Sequence, residues 1–440
     1  MDKNSTAIKL LDIYTSLFNA NRDRLEASSP SCLNKCRQEM LNLLQKQGLP
    51  VYGEEDFKRF DIDGVLSKEY QFSLGVDHTM ELPKRTPIYS EDVDVLLNEG
   101  RVTVLKNTSG AFVGNIEQFQ QQYPGVVESY YNTNPSISQD RLSVLHNLLG
   151  TDVLVIYLPK GCKVASPLLI LENLGITPCA MSFSRYLIIA EPDASASFIM
   201  ADHEHGNQGF LSQKMVEIYA HNDANITVYD IENTSLKANR IAGVHVQLQA
   251  NSVVRYNTFT LRNGQTRNNF YADLQGENAS FDLDGMCILN DTQVADNNVY
   301  VRHSVPKCTS DQLVKYVGAG RSLGSFTGRI YVAPDAQKTM AYQTNRNLLL
   351  SQEARMYSKP QLEIYADDVK CSHGMTTGQL DEEALFYMQQ RGIPSHEATL
   401  MLTVAFMADV LDKVELPALK ENLCKLVEQR VRAIAQNKMD

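Results

Sequence analysis

EPDASASFIM (191–200), HNDANITVYD (221–230), QANSVVRYNT (249–258), GENASFDLDG (276–285) and APDAQKTMAY (333–342) are variations on one turn. In each, an acidic or amide residue precedes a small residue, and an extended run follows. The aligned small residues are Ala194, Ala224, Ser252, Ala279 and Ala336, at intervals of 30, 28, 27 and 57, the last about two periods. Before and between these turns lie VLVIYL, PLLILENL, RYLIIA, MVEIYA, VHVQL and NVYVRH, short runs rich in Val, Ile and Tyr with a period of two. A period near 28 in strand-rich sequence predicts a solenoid of stacked β-coils, because one coil cannot bury its own face and its neighbours must. The chain is therefore read as mainly β: a parallel β-helix over 151–375, a helical and mixed domain at 1–150, and a helical domain at 376–440. Such a stack has ends and edges that must be capped or paired.

The flanks carry helical periodicity. Ile8, Leu11, Tyr14, Leu17 and Phe18, then Leu33, Met40, Leu41 and Leu44, recur at helical spacing, and Gly48 and Pro50 stop the run. Pro83, Pro87, Pro124 and Pro135 break up the next hundred residues, with a short strand expected at RVTVL (101–105). At the other end Asp381 is an N-cap followed by Glu382 and Glu383, Gly392 and Pro394 stop that helix, and Ser395 is read as capping the next. The segment ATLMLTVAFMADVLDKV (398–414) is apolar almost all round, which implies burial against the β-helix or against another protein. An amphipathic helix follows over about 417–437.

Composition excludes more than it identifies. The net charge of −11 and the lack of a basic run argue against nucleic acid as a partner. No apolar stretch is long enough to span a bilayer. Eight cysteines without regular spacing, and an N-terminus without signal-peptide character, point to a reducing cytoplasm. The glycines at 318, 320, 324 and 328 match neither GxGxxG nor a P-loop, and no GxSxG elbow occurs.

Four clusters could carry chemistry. Cys371 and His373, two residues apart after a strand beginning near Leu362, point to one side of an extended backbone. Thiolate and imidazole suit iron or sulfur, but two ligands are too few for a closed metal site. Strand parity would put Glu363, Tyr365, Asp367, Val369, Cys371 and His373 on one face, opposite Leu362 and Ile364. Asp202-His203-Glu204-His205 resembles a metal motif, against the simpler reading of a solvated strand end. Asp282, Asp284, Asp291 and Asp296 are acidic enough for a β-helical carbohydrate-active enzyme, although paired carboxylates need a defined separation. Cys32 and Cys36, one helical turn apart, read as two unrelated cysteines.

Three long segments add a resemblance. SFTGRIYVAPDAQKTMAYQTNRNLLLS (325–351), KPQLEIYADDVKCSHG (359–374) and GQLDEEALFYMQQRGI (378–393) resemble the SufB/SufD family of the SUF iron–sulfur cluster assembly system, with a weaker echo at GLPVYGEEDFKRF (48–60). The form YADDVKCSHG is similar to the SufD type rather than the SufB type. Met375 departs from the alanine common after His-Gly. The resemblance implies a right-handed parallel β-helix flanked by helical domains, in a scaffold subunit that is not itself an enzyme. It implies pairing with a SufB paralogue through the β-helices, and binding of the ABC-type ATPase SufC, which hydrolyses ATP, through the C-terminal helices. It further implies a transient iron–sulfur cluster on the complex, with His373 as the functional histidine and Cys371 beside it. A flavin on the assembly and a homodimer of the isolated chain are compatible with that reading.

Overall fold

The computed structural model describes residues 3–76, 88–89, 92–106, 108 and 110–436; Pro83 and Pro87 lie outside them. From Leu154 to Gln379 successive strands alternate between two ten-stranded sheets, so each coil places one strand in each. Pairing between coils is parallel throughout, from Leu154–Leu158 on Tyr186–Ala190 to Met340–Leu349 on Lys370–Gln379. Residues of the two sheets meet in one apolar core: Val216 and Ile218 of one sheet pack with Ile226 and Val228 of the other. This is the expected parallel β-solenoid.

The repeat has a physical cause at each corner. Asp193, Asp223, Asn251, Asn278, Lys307 and Lys338 all adopt φ between 57° and 62°. Asn and Asp tolerate this left-handed region better than most side chains. The residue after each one, Ala194, Ala224, Ser252, Ala279, Cys308 or Thr339, turns inward and is at most 1% exposed. Only a small group fits where the sheets converge. Corners also stack: Asn251 donates to Asp223 and Asn278 to Asn251 at 3.1 and 3.0 Å. Two details of the sequence reading change here. The double interval hides a coil whose corner is Lys307-Cys308, and the next corner is Thr339, three residues beyond Ala336. Register confirms this, since Ser280 pairs Thr309, Thr309 pairs Met340, and Met340 pairs Lys370.

The two ends of the stack differ. At the first end, Phe112–Asn115 pairs antiparallel with Leu154–Leu158, and Val95–Asn98 adds to Leu168–Leu174 with Arg101–Val104 antiparallel outside it. At the last end, Arg355–Ile364 and Lys370–Gln379 are each paired on one side only among the described residues.

Helices cover the two outer faces. Helices Lys3–Ser28, Ser31–Gln47 and Arg141–Leu149 bury Leu10, Tyr14, Phe18, Leu44 and Leu145 with Met181, Phe183, Leu211 and Ile241 of one sheet. Arg37 fastens this layer by donating to the carbonyls of Leu148 and Gly150 at 2.6 and 2.9 Å. On the other sheet, helices Ser395–Leu411 and Pro417–Ala435 pack Leu400, Met407, Val410, Leu423 and Val427 over Leu171, Ile199, Tyr229, Phe259 and Ile288. Lys315 clamps the first of them through the Phe406 carbonyl and Asp409. The apolar helix is thus buried on one side and open on the other, where Met401 is 52% exposed. Helix Glu382–Gln390 buries nothing, and its Phe386 and Tyr387 are 62% and 59% exposed. Asp381 caps it as expected, accepting from the Glu383 and Ala384 N–H groups. Ser395 does not act as a cap: it is the first helical residue after Pro394, and no side-chain cap bond forms there.

Candidate functional site at the open end of the solenoid

The last strand, Lys370–Gln379, runs in unbroken register along Met340–Leu349: Cys371 opposite Ala341, His373 opposite Gln343, Met375 opposite Asn345 and Thr377 opposite Asn347. Those four partners are at most 4% exposed and face the interior. Cys371, His373, Met375 and Thr377 therefore continue the interior column of the solenoid onto a strand that no further coil covers among the described residues. His373 is exposed and Met375 is 48% exposed, while Cys371 is half-buried against Ala336, Ala341, Leu362 and Val369. Burial pushes the Cys371 thiol pKa up, against a lowering contribution from the Ala341 backbone. Desolvation of the thiolate is thus the obstacle to ligation, and a bound cation would relieve it.

The pair shares a face as its spacing required, but its companions differ from the parity argument. The preceding strand ends at Ile364, and Tyr365–Val369 form a turn before pairing resumes at Lys370. That turn resets the phase: Leu362, not Glu363, lies on the Cys371 side, and Glu363 faces Arg329 on the outer surface at 3.4 Å. Among the described residues no three His, Cys, Asp or Glu side chains are grouped to hold a metal ion. Cys371 and His373 remain two donors at an open edge.

The other candidate clusters come apart. Asp202 points into the solenoid, Glu204 accepts from the Ser235 N–H and hydroxyl, and the His203 and His205 rings meet edge-to-face with centroids 4.8 Å apart. Asp282 and Asp284 lie beneath the C-terminal helices near Lys413, and burial raises both carboxyl pKa values, that of Asp284 to about 7. Asp291 occupies a corner with φ 50°, and Asp296 is paired with Arg267 on the other sheet. The four carboxylates share no cleft, so the carbohydrate-cleaving arrangement is not formed. Cys32 is packed in an apolar cluster, its thiol pushed up to about 11 by burial, and Cys36 donates to the Cys32 carbonyl. Gly318, Gly324 and Gly328 face the interior, where any side chain would collide with Met356 or Gln343.

Sequence reading missed a buried ionic network in the first coils. The Lys214 ammonium lies 3.2, 2.8 and 3.3 Å from Glu172, Asp202 and Asp230, and Arg240 binds Asp230 and approaches Asp202 and Glu232 at 3.6 and 3.8 Å. All six side chains are at most 2% exposed. Burial disfavours charge on Lys214, yet Asp202, Asp230 and Glu172 hold its pKa above the usual value. Four carboxylates oppose two cations, and burial lifts Glu232 to about 7 despite Arg240. The available signal was charged residues at inward parity, as with Asp230 and Glu232 after Ile226 and Val228.

Comparison with known proteins follows the same outline. The family model "SUF system FeS cluster assembly, SufBD core domain" matches residues 173–406, and "SufBD protein N-terminal region" matches 8–170. The chain belongs to the SufBD family. It is 27% identical to the Escherichia coli "Iron-sulfur cluster assembly protein SufD" over 410 residues, 90% of this chain and 92% of that one. It is 30% identical to a Synechocystis "Iron-sulfur cluster assembly SufBD family protein" over 64% of each chain. It is 28% identical to the Arabidopsis thaliana "Protein ABCI7, chloroplastic" over 63% of this chain and 60% of that one. Family membership places the chain in iron–sulfur cluster assembly by the SUF system. Among the described residues no helix is long and apolar enough to cross a membrane.

Proposed function

We propose that this chain is the SufD-type subunit of a scaffold complex that assembles nascent iron–sulfur clusters. In this reading it joins a SufB paralogue through the open end of the solenoid and the ATPase SufC through the C-terminal helices. One observation carries it: the strand that bears Cys371 and His373 is also the strand whose outer edge has no neighbour among the described residues. A free strand edge offers a row of N–H and C=O groups to an incoming strand, and main-chain pairing supplies affinity. A partner docked there would stand beside the thiol and the imidazole and could bring the ligands this chain lacks. The cluster is then cargo held between subunits, and the Glu382–Gln390 helix, with Phe386 and Tyr387 outward, is the surface offered to SufC.

The direct experiment is reconstitution with SufB-like and SufC-like partners. His373→Ala is expected to leave complex assembly intact and abolish cluster formation; undiminished cluster formation would overturn the site assignment. Phe386→Ala with Tyr387→Ala is expected to weaken SufC binding at least tenfold, since exposed aromatic anchors commonly contribute about 2 kcal/mol each. Unchanged SufC affinity would remove this helix from the interface.

A further inference from the structure

The interior column beneath His373 contains a side chain whose hydrogen bonding is unfinished. Gln343, its register partner one strand inward, is 1% exposed. Its Nε2 donates to Gln312 Oε1, one coil further in, at 2.8 Å. Its Oε1 is buried without a hydrogen-bond partner. The amide packs against Gly328 on the facing sheet, where an added Cβ would force it to shift. The amide is therefore held from two directions with its acceptor unused, and a buried acceptor left unpaired is costly. The adjacent column shows that such ladders reach the last strand: Asn347 donates to Thr377 Oγ1 at 3.1 Å.

We infer that Gln343 is the positioning residue for His373: the exposed ring turns inward over the column, where this unpaired carbonyl oxygen accepts one ring N–H and leaves the other nitrogen's lone pair directed to the open end. Adjacent parallel strands lie about 4.8 Å apart, so an amide and an imidazole at paired positions are within reach. Ligating histidines commonly donate their second N–H to a carbonyl or carboxylate, which fixes the tautomer and the ring plane. The Gln312–Gln343 ladder supplies that acceptor from inside the solenoid. The inference rests on the reading of His373 as the ligand-bearing residue, and its test separates the two.

The experiment is the tautomer ratio of neutral His373 in the full-length chain, read from long-range 1H–15N spectra of 15N-histidine-labelled protein. A net hydrogen bond of ordinary strength predicts about a fivefold bias relative to free histidine. Gln343→Leu is expected to return the ratio to that of free histidine, and Gln343→Glu, which keeps an acceptor, to retain the bias. Gly328→Ala displaces the amide without deleting it and is expected to act as Gln343→Leu does. Gln343→Asn, one methylene shorter, provides the same comparison if the leucine variant does not fold. In the reconstituted complex, Gln343→Leu is expected to lower iron affinity about 10–100-fold. A wild-type ratio equal to that of free histidine, or a ratio unmoved by these variants, overturns the inference. A ratio that responds while the His373→Ala complex still builds clusters leaves the Gln343 role standing and overturns the site reading instead.

Discussion

The first coils of the solenoid and the last one use the same interior column in opposite ways. Near Glu172, Lys214 and Arg240 the column is filled with ionised groups, fully enclosed, and closed off by added antiparallel strands. Near Cys371 and His373 it holds an uncharged thiol and an imidazole, and among the described residues no further strand pairs beyond it. The enclosed charges have each other as partners, so removing one is expensive; the open pair carries no buried charge to be balanced within this chain. One end is built to be stable and the other to be available.

The largest expected effect tests the enclosed end. Lys214→Met removes the one ammonium shared by Glu172, Asp202 and Asp230, and breaking a buried charge pair costs about 3–5 kcal/mol. Urea unfolding is expected to show a loss of that order. A loss below about 1 kcal/mol would mean that water reaches the network, and the contrast between the two ends would collapse.

A somewhat smaller effect concerns pH. Glu232 keeps its proton in the folded state up to about 7, above its ordinary 4.5, because burial disfavours its charge. Between those values the folded state binds more protons than the unfolded one, so this group's contribution to stability is complete below 4.5 and is lost as pH rises through about 7. The full change is of order 3 kcal/mol, from 1.36 kcal/mol per pKa unit. Glu232→Gln is expected to flatten the decline in wild-type stability between pH 5 and pH 7.5, roughly that window, followed by urea midpoints. A decline of equal slope in both proteins would show that Glu232 is charged throughout.

The smallest effect belongs to the open end. Cys371→Ser and His373→Ala are each expected to change unfolding free energy by no more than about 1 kcal/mol, the size of one net hydrogen bond or a partly buried contact. Thermal unfolding of the free chain is the measurement. A loss of several kcal/mol would mark either residue as structural and cancel the proposed division of labour.

How much of this was legible in the sequence depended on how local each constraint is. The solenoid was readable because Asp193-Ala194, Asp223-Ala224 and Asn278-Ala279 solve one local problem, a left-handed turn followed by a tight interior corner. The coil at Lys307-Cys308 escaped because lysine and cysteine solve it with unrelated side chains. Cys371 and His373 were readable as a pair because both lie on one strand, where parity holds. Their relation to Leu362 and Glu363 was not, because the turn at Tyr365–Val369 shifts the phase. Nor could parity show that Lys214 of one sheet meets Asp202 and Asp230 of the other, since that depends on contact across the interior.

The open end also has a meaning for motion. In a stack of coils each unit is held chiefly by its nearest neighbours, and a terminal unit has one where the others have two. The coil formed by Arg355–Ile364 and Lys370–Gln379 is therefore the least protected rung of the ladder, the place where the solenoid opens first. Docking a partner strand there would supply the missing neighbour, and the order of the last coil, with the placement of His373, would then be a property of that assembly more than of the single chain.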